Sequence, residues 1–246
     1  MPLFNREGDL IHVKVKQFYL LTATVALVGF GGGAMATSAY LSAQNTNAAD
    51  GGGSNRQAAG AAQGTARPSA QDRIAADARN SIGSADAPVT IVEFTDYDCT
   101  YCRRYYAETF PKIMEKYGDQ IRYVVRHFPL IQMHPEAVKA AEAAECAAED
   151  GMFFEYNDLI MRGVPSLDVE SLKQYGADIG VNTAAFNRCL DEGAKAALVQ
   201  QDLRDGYMLG VRGTPNFFVN GYALQGAQPI DVFSAYIEAA MAASGE

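Results

Sequence analysis

The chain has 246 residues, 48% of them hydrophobic and 20% charged, and a formal net charge of −9. That acidic balance, with no basic cluster, points away from nucleic acid as a partner. The length leaves room for one folded unit of about 170 residues, enough to bury a sizeable core, behind a differently composed N-terminal stretch.

Residues 17–49 carry no charged side chain, Phe18–Phe30 within them is strongly apolar, and Lys14 and Lys16 stand just before. A basic flank ahead of an apolar run is the pattern of a signal peptide or signal anchor. Ala34-Met35-Ala36 offers a cleavage site, whereas residues 18–41 reach the about 20 residues that span a bilayer only if Gly31–Gly33 are tolerated. The anchor reading is preferred because a tether follows. Residues 42–72, rich in Gly, Ala, Gln, Asn and Ser, cannot bury enough surface to offset their ordering entropy and read as a flexible linker. Residues 1–17 then stay in the cytoplasm, and the remainder is exported.

The folded part, residues 73–246, opens with a short helix expected over Asp72–Asn80. Val89–Phe94 is a β-branched run, apolar except at Glu93, and reads as a central strand. Asp98 is the expected N-cap of a helix over Cys99–Tyr117, with Gly118 as its C-cap. Ile121–Phe128 reads as a second strand, giving a βαβ unit. A helical block follows over about 134–209, with helices expected at 134–149, 152–161, 168–179, 183–191 and 194–209, punctuated by Gly and Pro. Asn216–Val219 and Tyr222–Gln225 flank Asn220-Gly221, a strong two-residue hairpin signal. Ile230–Ala242 closes the chain as a helix. The order βαβ, helical block, ββα describes an α/β fold with an all-helical domain inserted in its middle.

Chemistry concentrates at Cys99-Thr100-Tyr101-Cys102. Two cysteines three apart at a helix start share one face of the first turn. The free amides and positive end of the helix favour a thiolate on the first of them. Arg103 and Arg104 push the same way and Asp98 opposes. Cys102, one turn inward, reads as the resolving thiol, with exchange passing through a mixed disulfide on Cys99. Zinc is the rival use of such a pair, but it needs about four ligands. There is no second Cys-x-x-Cys, and the three histidines are His12, His127 and His134; neither a metal nor a cofactor is expected.

Glu93, six residues before Cys99, would have a raised pKa if buried unpaired, making it a proton acceptor beneath Cys102. A charge at an exposed strand edge is the alternative. Gly213-Thr214-Pro215 reads from residues alone as a plain turn. Cys146 and Cys189 lie on separate expected helices of the insert. If Cys99 and Cys102 form the redox pair, these two bridge, for roughly 4 kcal/mol of loop-entropy stabilisation; two buried unpaired thiols remain the alternative. The tyrosines around the motif (Tyr97, Tyr101, Tyr105, Tyr106) fit either a peptide-binding surface or ordinary helix packing. His134 and Pro135 read as the start of the first insert helix.

Three separated motifs carry a family resemblance. Residues 87–102, ending in Val-Glu93-Phe-Thr-Asp-Tyr-Asp-Cys99-Thr-Tyr-Cys102, resemble the entry to the DsbA-like thioredoxin family. His134-Pro135 with Ala143–Glu149 looks like its first insert helix. Gly210-Val-Arg-Gly-Thr-Pro215-Asn-Phe-Phe-Val-Asn-Gly221 looks like its cis-proline loop and hairpin. The resemblance covers about residues 73–246 and implies a thioredoxin fold with a helical insertion and an exported protein thiol-disulfide oxidoreductase. Cys99 would attack and Cys102 resolve. Glu93 would match the buried acid. Thr214 and cis-Pro215 would face the disulfide and leave backbone free to pair with an extended substrate. Cys146 and Cys189 would match a structural disulfide of part of the family. The departure is Thr100-Tyr101, where Pro-His or Pro-Tyr is commoner among relatives.

The expected activity is disulfide donation to reduced or misoxidised exported proteins at the periplasmic or extracytoplasmic face, with reoxidation by a quinone-linked membrane partner. An isomerase or reductase of the same fold is the nearest rival. A membrane-tethered peptide-binding or assembly module, its cysteines only structural, is the rival of another class.

Overall fold

The computed structural model describes residues 74, 77 and 79–245. The segment 1–17, the apolar run 18–41 and the linker 42–72 lie outside these residues, as does most of the helix expected over Asp72–Asn80. At that helix's end Arg79 and Asn80 form a turn instead, with Asn80 at φ 50°. Among the described residues no helix is long and apolar enough to cross a membrane.

Five strands form the sheet: β1 (Ser81–Ile82), β2 (Val89–Thr95), β3 (Ile121–His127), β4 (Asn216–Val219) and β5 (Tyr222–Gln225), in the order β1-β3-β2-β4-β5. β2 runs parallel to β3, and the other pairings are antiparallel. β2 is central, and β1, too short to carry a sequence signal, edges the sheet. At the β4–β5 turn Asn220 and Gly221 sit at φ 42° and 88°, the backbone a tight primed turn demands. The Asn220 side chain ties the turn to β2, accepting from Thr90 N at 2.7 Å and donating to Pro88 O at 2.9 Å.

The expected helix over Cys99–Tyr117 is two helices, α1 (Thr100–Glu108) and α2 (Phe110–Tyr117). Pro111 lacks an N–H and its ring would clash with the carbonyl four residues back, so a straight helix cannot pass. The break falls at Thr109, whose hydroxyl donates to Gln228 O at 3.1 Å. Gly118 ends α2 right-handed, at φ −51°. The insert holds α3 (Ala137–Ala147), α4 (Phe153–Met161), α5 (Val169–Ile179), α6 (Thr183–Asp191) and α7 (Ala196–Met208), between β3 and β4. α3 starts three residues later than expected, at Ala137. α8 (Ile230–Ser244) closes the described chain.

Alternation along β2 splits the core across the sheet. Val89 and Ile91 join the cluster that includes α1, α2, α8 and most of the insert, while Val92 and Phe94 pack on the other face with Val124, Phe128, Val211 and Phe218. α7 lies against that second face at Gly206, where a Cβ would meet the Phe128 ring at 2.6 Å. Buried ion pairs fasten the insert down. Glu145 of α3 accepts from Arg79, Asn80 and His127 at 3.2, 2.7 and 3.1 Å, and Asp202 of α7 accepts from Arg79 at 2.8 Å and from His127 N at 3.1 Å, with Arg126 at 3.7 Å.

Candidate active site

Cys99 is itself the N-cap of α1, with extended backbone at φ −73° and ψ 118°. Asp98, the expected cap, is displaced from that role; its carboxylate faces Arg103 at 3.5 Å. Neither arginine aims its charge at sulfur. Arg103 donates to Tyr97 O at 3.0 Å, and Arg104 lies over the Tyr101 ring at 5.1 Å.

The loop before Cys99 is built on Asp96, which sequence reasoning passed over. Its fully buried carboxylate accepts from Asp98 N and Leu130 N, both at 2.8 Å, and pairs with His134 Nδ1 at 2.9 Å. Its carbonyl accepts from Cys99 N at 3.2 Å. His134 therefore belongs to the site's frame as well as to the approach to α3. Burial works to lower the His134 pKa, but the Asp96 bond and the surrounding negative charge leave it raised.

Cys99 and Cys102 are both free thiols, and both are buried. The Cys99 pKa is brought down to about 5, first by a hydrogen bond from the Cys102 thiol, then, against the opposing effect of burial, by Thr214 and the amides of Cys102 and Tyr101. Cys102 is pushed well above the ordinary cysteine value by burial and by the hydrogen bond and charge of Cys99. The pair is thus polarised into one thiolate and one thiol at neutral pH. Opposite them Thr214-Pro215 is a cis peptide, and as a thiol Cys99 donates to Thr214 O at 3.5 Å.

Glu93 is 2% exposed, which removes the strand-edge alternative. It points to the α1 face of the sheet, accepts from Tyr123 Oη at 2.6 Å, and through Tyr123 meets Tyr105 Oη at 3.0 Å. Burial raises its pKa to about 7, with the Tyr123 and Thr95 hydroxyls holding it back. Tyr97, Tyr105 and Tyr106 are core side chains, whereas Tyr101, between the cysteines, is 58% exposed. Cys146 of α3 and Cys189 of α6 form a disulfide with Cα atoms 6.0 Å apart.

A family model described as thioredoxin matches residues 76–239. Solved structures with the same fold include BdbD from Bacillus subtilis (21% identity, TM-score 0.61, 66% of this chain and 92% of that one). Alpha-DsbA1 from Wolbachia pipientis is similar at 24% identity and TM-score 0.60, over 67% of this chain and 92% of that one. So is a thioredoxin-like oxidoreductase from Silicibacter pomeroyi (24%, 0.62, 69% and 96%). Among curated proteins the chain is similar to the Na(+)/H(+) antiporter NhaA 3 of Salinispora tropica, 37% identical over 164 residues, which are 66% of this chain and 24% of that protein. It is also similar to NhaA of Herminiimonas arsenicoxydans, 36% identical over 64% of this chain and 25% of that protein. The chain therefore spans about a quarter of the length of these relatives, and ion antiport is the named activity of those longer proteins.

Proposed function

The chain belongs to the thioredoxin family, and from that premise we propose that it is a protein thiol-disulfide oxidoreductase of DsbA type, working as an oxidase through Cys99 and Cys102. The observation that carries this is the polarised pair: an N-cap thiolate on Cys99 beside a protonated, buried Cys102.

A substrate thiolate attacks Cys99 Sγ of the Cys99–Cys102 disulfide. The Cys99–Cys102 bond breaks, a mixed disulfide forms on Cys99, and Cys102 leaves and takes a proton. A second substrate thiolate then attacks its own sulfur in the mixed disulfide, releasing oxidised substrate and the Cys99 thiolate. Because that thiolate is stable, the second step runs forward and the enzyme ends as the dithiol. A partner's disulfide, itself regenerated by a quinone-linked membrane oxidant, returns the pair to the oxidised form. Thr214 and Pro215 border the attacked sulfur and would meet the substrate backbone, while Glu93 serves the proton of Cys102.

The Cys146–Cys189 bridge supports an extracytoplasmic, periplasmic setting, since such bonds persist in oxidising compartments. The apolar run 18–41 supports attachment to the inner membrane. An isomerase or reductase of the same fold is the nearest rival reading. The test is oxidation of reduced, unfolded ribonuclease A by the oxidised protein. The wild type is expected to introduce disulfides stoichiometrically, and Cys99→Ser to leave only background oxidation. Equal activity in both would leave the cysteines purely structural and the reading wrong.

A further inference from the structure

Cys102 has to gain a proton as it leaves Cys99 and lose one when it attacks again. On the buried face of α1 and fully shielded from solvent, it has no route for that proton through bulk water. Glu93 is the nearby acid, but among the described residues no hydrogen bond joins its carboxylate to Cys102, and its carboxylate is held by Tyr123. One group sits between them. Thr95 lies two residues beyond Glu93 on β2, so both side chains leave the same sheet face, the face that α1 covers. Thr95 is 1% exposed, and its hydroxyl is buried without a formed hydrogen bond. Its dipole nevertheless acts on Glu93 and on Cys102, lowering the pKa of each.

A buried hydroxyl with no partner calls for a reason. Packing supplies none, because valine has the same shape. A hydroxyl that both donates and accepts, free to turn between a thiol and a carboxylate, is what a proton hand-over requires.

Building on the exchange chemistry proposed above, we propose that the Thr95 hydroxyl relays the proton between Glu93 and Cys102. When Cys102 leaves, Thr95 donates its proton to the Cys102 sulfur and takes the proton of the Glu93 carboxyl. When Cys102 attacks the sulfur of Cys99 in a mixed disulfide, the same transfer runs backwards. The S–S bond that forms is Cys99–Cys102, the partner thiolate departs, and Glu93 ends protonated. No group outside the pair of exchanging disulfides is needed to balance either direction.

The titratable groups around the relay are Glu93 on its own strand, Tyr97 and Cys99 in the loop and N-cap that follow, Tyr123 and His127 on β3, and Cys102 and Tyr105 on α1. His127 is the cross-strand register partner of Thr95, and its Nε2 is engaged by Glu145 at 3.1 Å. A pH profile of the exchange must therefore be read against variants at Thr95 itself.

The experiment is stopped-flow opening of the Cys99–Cys102 disulfide by dithiothreitol between pH 5 and 9, in wild type, Thr95→Val and Thr95→Ser. Thr95→Val is expected to slow opening by roughly 100-fold below pH 7, the low end of what a positioned proton donor supplies, and to erase the limb that follows Glu93. Thr95→Ser, which keeps the hydroxyl, keeps the wild-type rate and pH profile. The thiolate absorbance titration of Cys99 is unmoved in both. Thr95→Val also melts at the same temperature or higher, because a methyl replaces an unpaired polar group; a merely structural hydroxyl would lose stability and leave the pH profile alone. Wild-type rate and profile in Thr95→Val, or equal slowing in Thr95→Ser, overturns the relay. Infrared titration of the Glu93 carboxyl in chemically oxidised and reduced protein gives a second readout that needs no turnover. The relay predicts a difference between the two states that Thr95→Val diminishes; an unchanged difference overturns it. Failure of the wild-type disulfide to open at all overturns the oxidoreductase reading instead.

Discussion

The two cysteine pairs of this protein are both buried, yet they differ in spacing, bonding and surroundings. Cys146 and Cys189 join the C-terminal turns of two insert helices across 43 residues and are bonded to each other. Cys99 and Cys102 share one helix start and are free. The first pair sits where α3 and α6 pack. In the second, Cys99 is itself the N-cap of α1 and faces the Thr214 carbonyl, while the charge of Glu93 and the dipole of Thr95 act on Cys102. Surroundings, not the thiol, divide a brace from a reaction centre. Stabilising a thiolate needs oriented donors, and reprotonating its partner needs an acid with a pKa near the working pH.

The sharpest way to break this contrast is to exchange the losses. Cys99→Ser is expected to remove exchange to background and, at pH 7, to lower the urea midpoint below that of the reduced wild type, because the thiolate that the fold stabilises is gone. Cys146→Ala with Cys189→Ala should do the reverse, lowering unfolding free energy by about 4 kcal/mol while the Cys99 thiolate still titrates near 5. Loss of exchange in the second variant at a temperature where it remains folded would show that the insert brace and the site are coupled.

Glu93→Gln removes the buried acid and leaves both cysteine pairs in place. The folded pKa of Glu93 is raised from 4.5 to about 7, so between those values the folded state holds a proton that the unfolded state has released. Stability therefore falls as pH rises through that window, by about 3 kcal/mol in all, and stays down above it. The Gln variant should escape that fall, overtaking wild type in denaturant melts above pH 7, while losing the pH-dependent limb of exchange. An acid-to-neutral stability profile identical to that of wild type would place Glu93 outside this role.

The smallest expected effect concerns the loop. Asp96→Asn leaves the donors of Asp98, Leu130 and His134 only partly answered, and stability should fall by about 2 kcal/mol with a slower attack at Cys99. His134 is raised by Asp96 in the native state, so its share of stability is complete below its unfolded pKa and is lost as pH rises through the folded one. That share should vanish from the pH-dependence of the variant.

Much of this was legible in the sequence because it is local. The β-branched run of β2, the Cys-x-x-Cys at a helix start and Asn220-Gly221 each specify a conformation within a few residues. What escaped depends on distant partners. Asp96 draws its meaning from Leu130 and His134, which are 34 and 38 residues away. Glu145 and Asp202 meet Arg79 across 66 and 123 residues. β1 exists only as a partner for β3. The break at Thr109 was available in principle, since Pro111 forbids a continuous helix, but the strong helical pattern on both sides concealed it. Asp98 failed as a cap because Cys99 itself takes the extended backbone from which α1 departs. Thr95 gives no periodic signal; only its burial, in register beside Glu93, singles it out.

The proposed oxidase role requires that the environment of Cys99 favour the dithiol over the disulfide. Its most direct test is the equilibrium reduction potential of the Cys99–Cys102 couple, measured in glutathione redox buffers by trapping free thiols for mass spectrometry. A thiolate stabilised to about 5 predicts a value well above the about −270 mV of thioredoxin and towards the about −120 mV of a strong dithiol oxidant. A value at or below about −270 mV would contradict the account and make the protein a reductant.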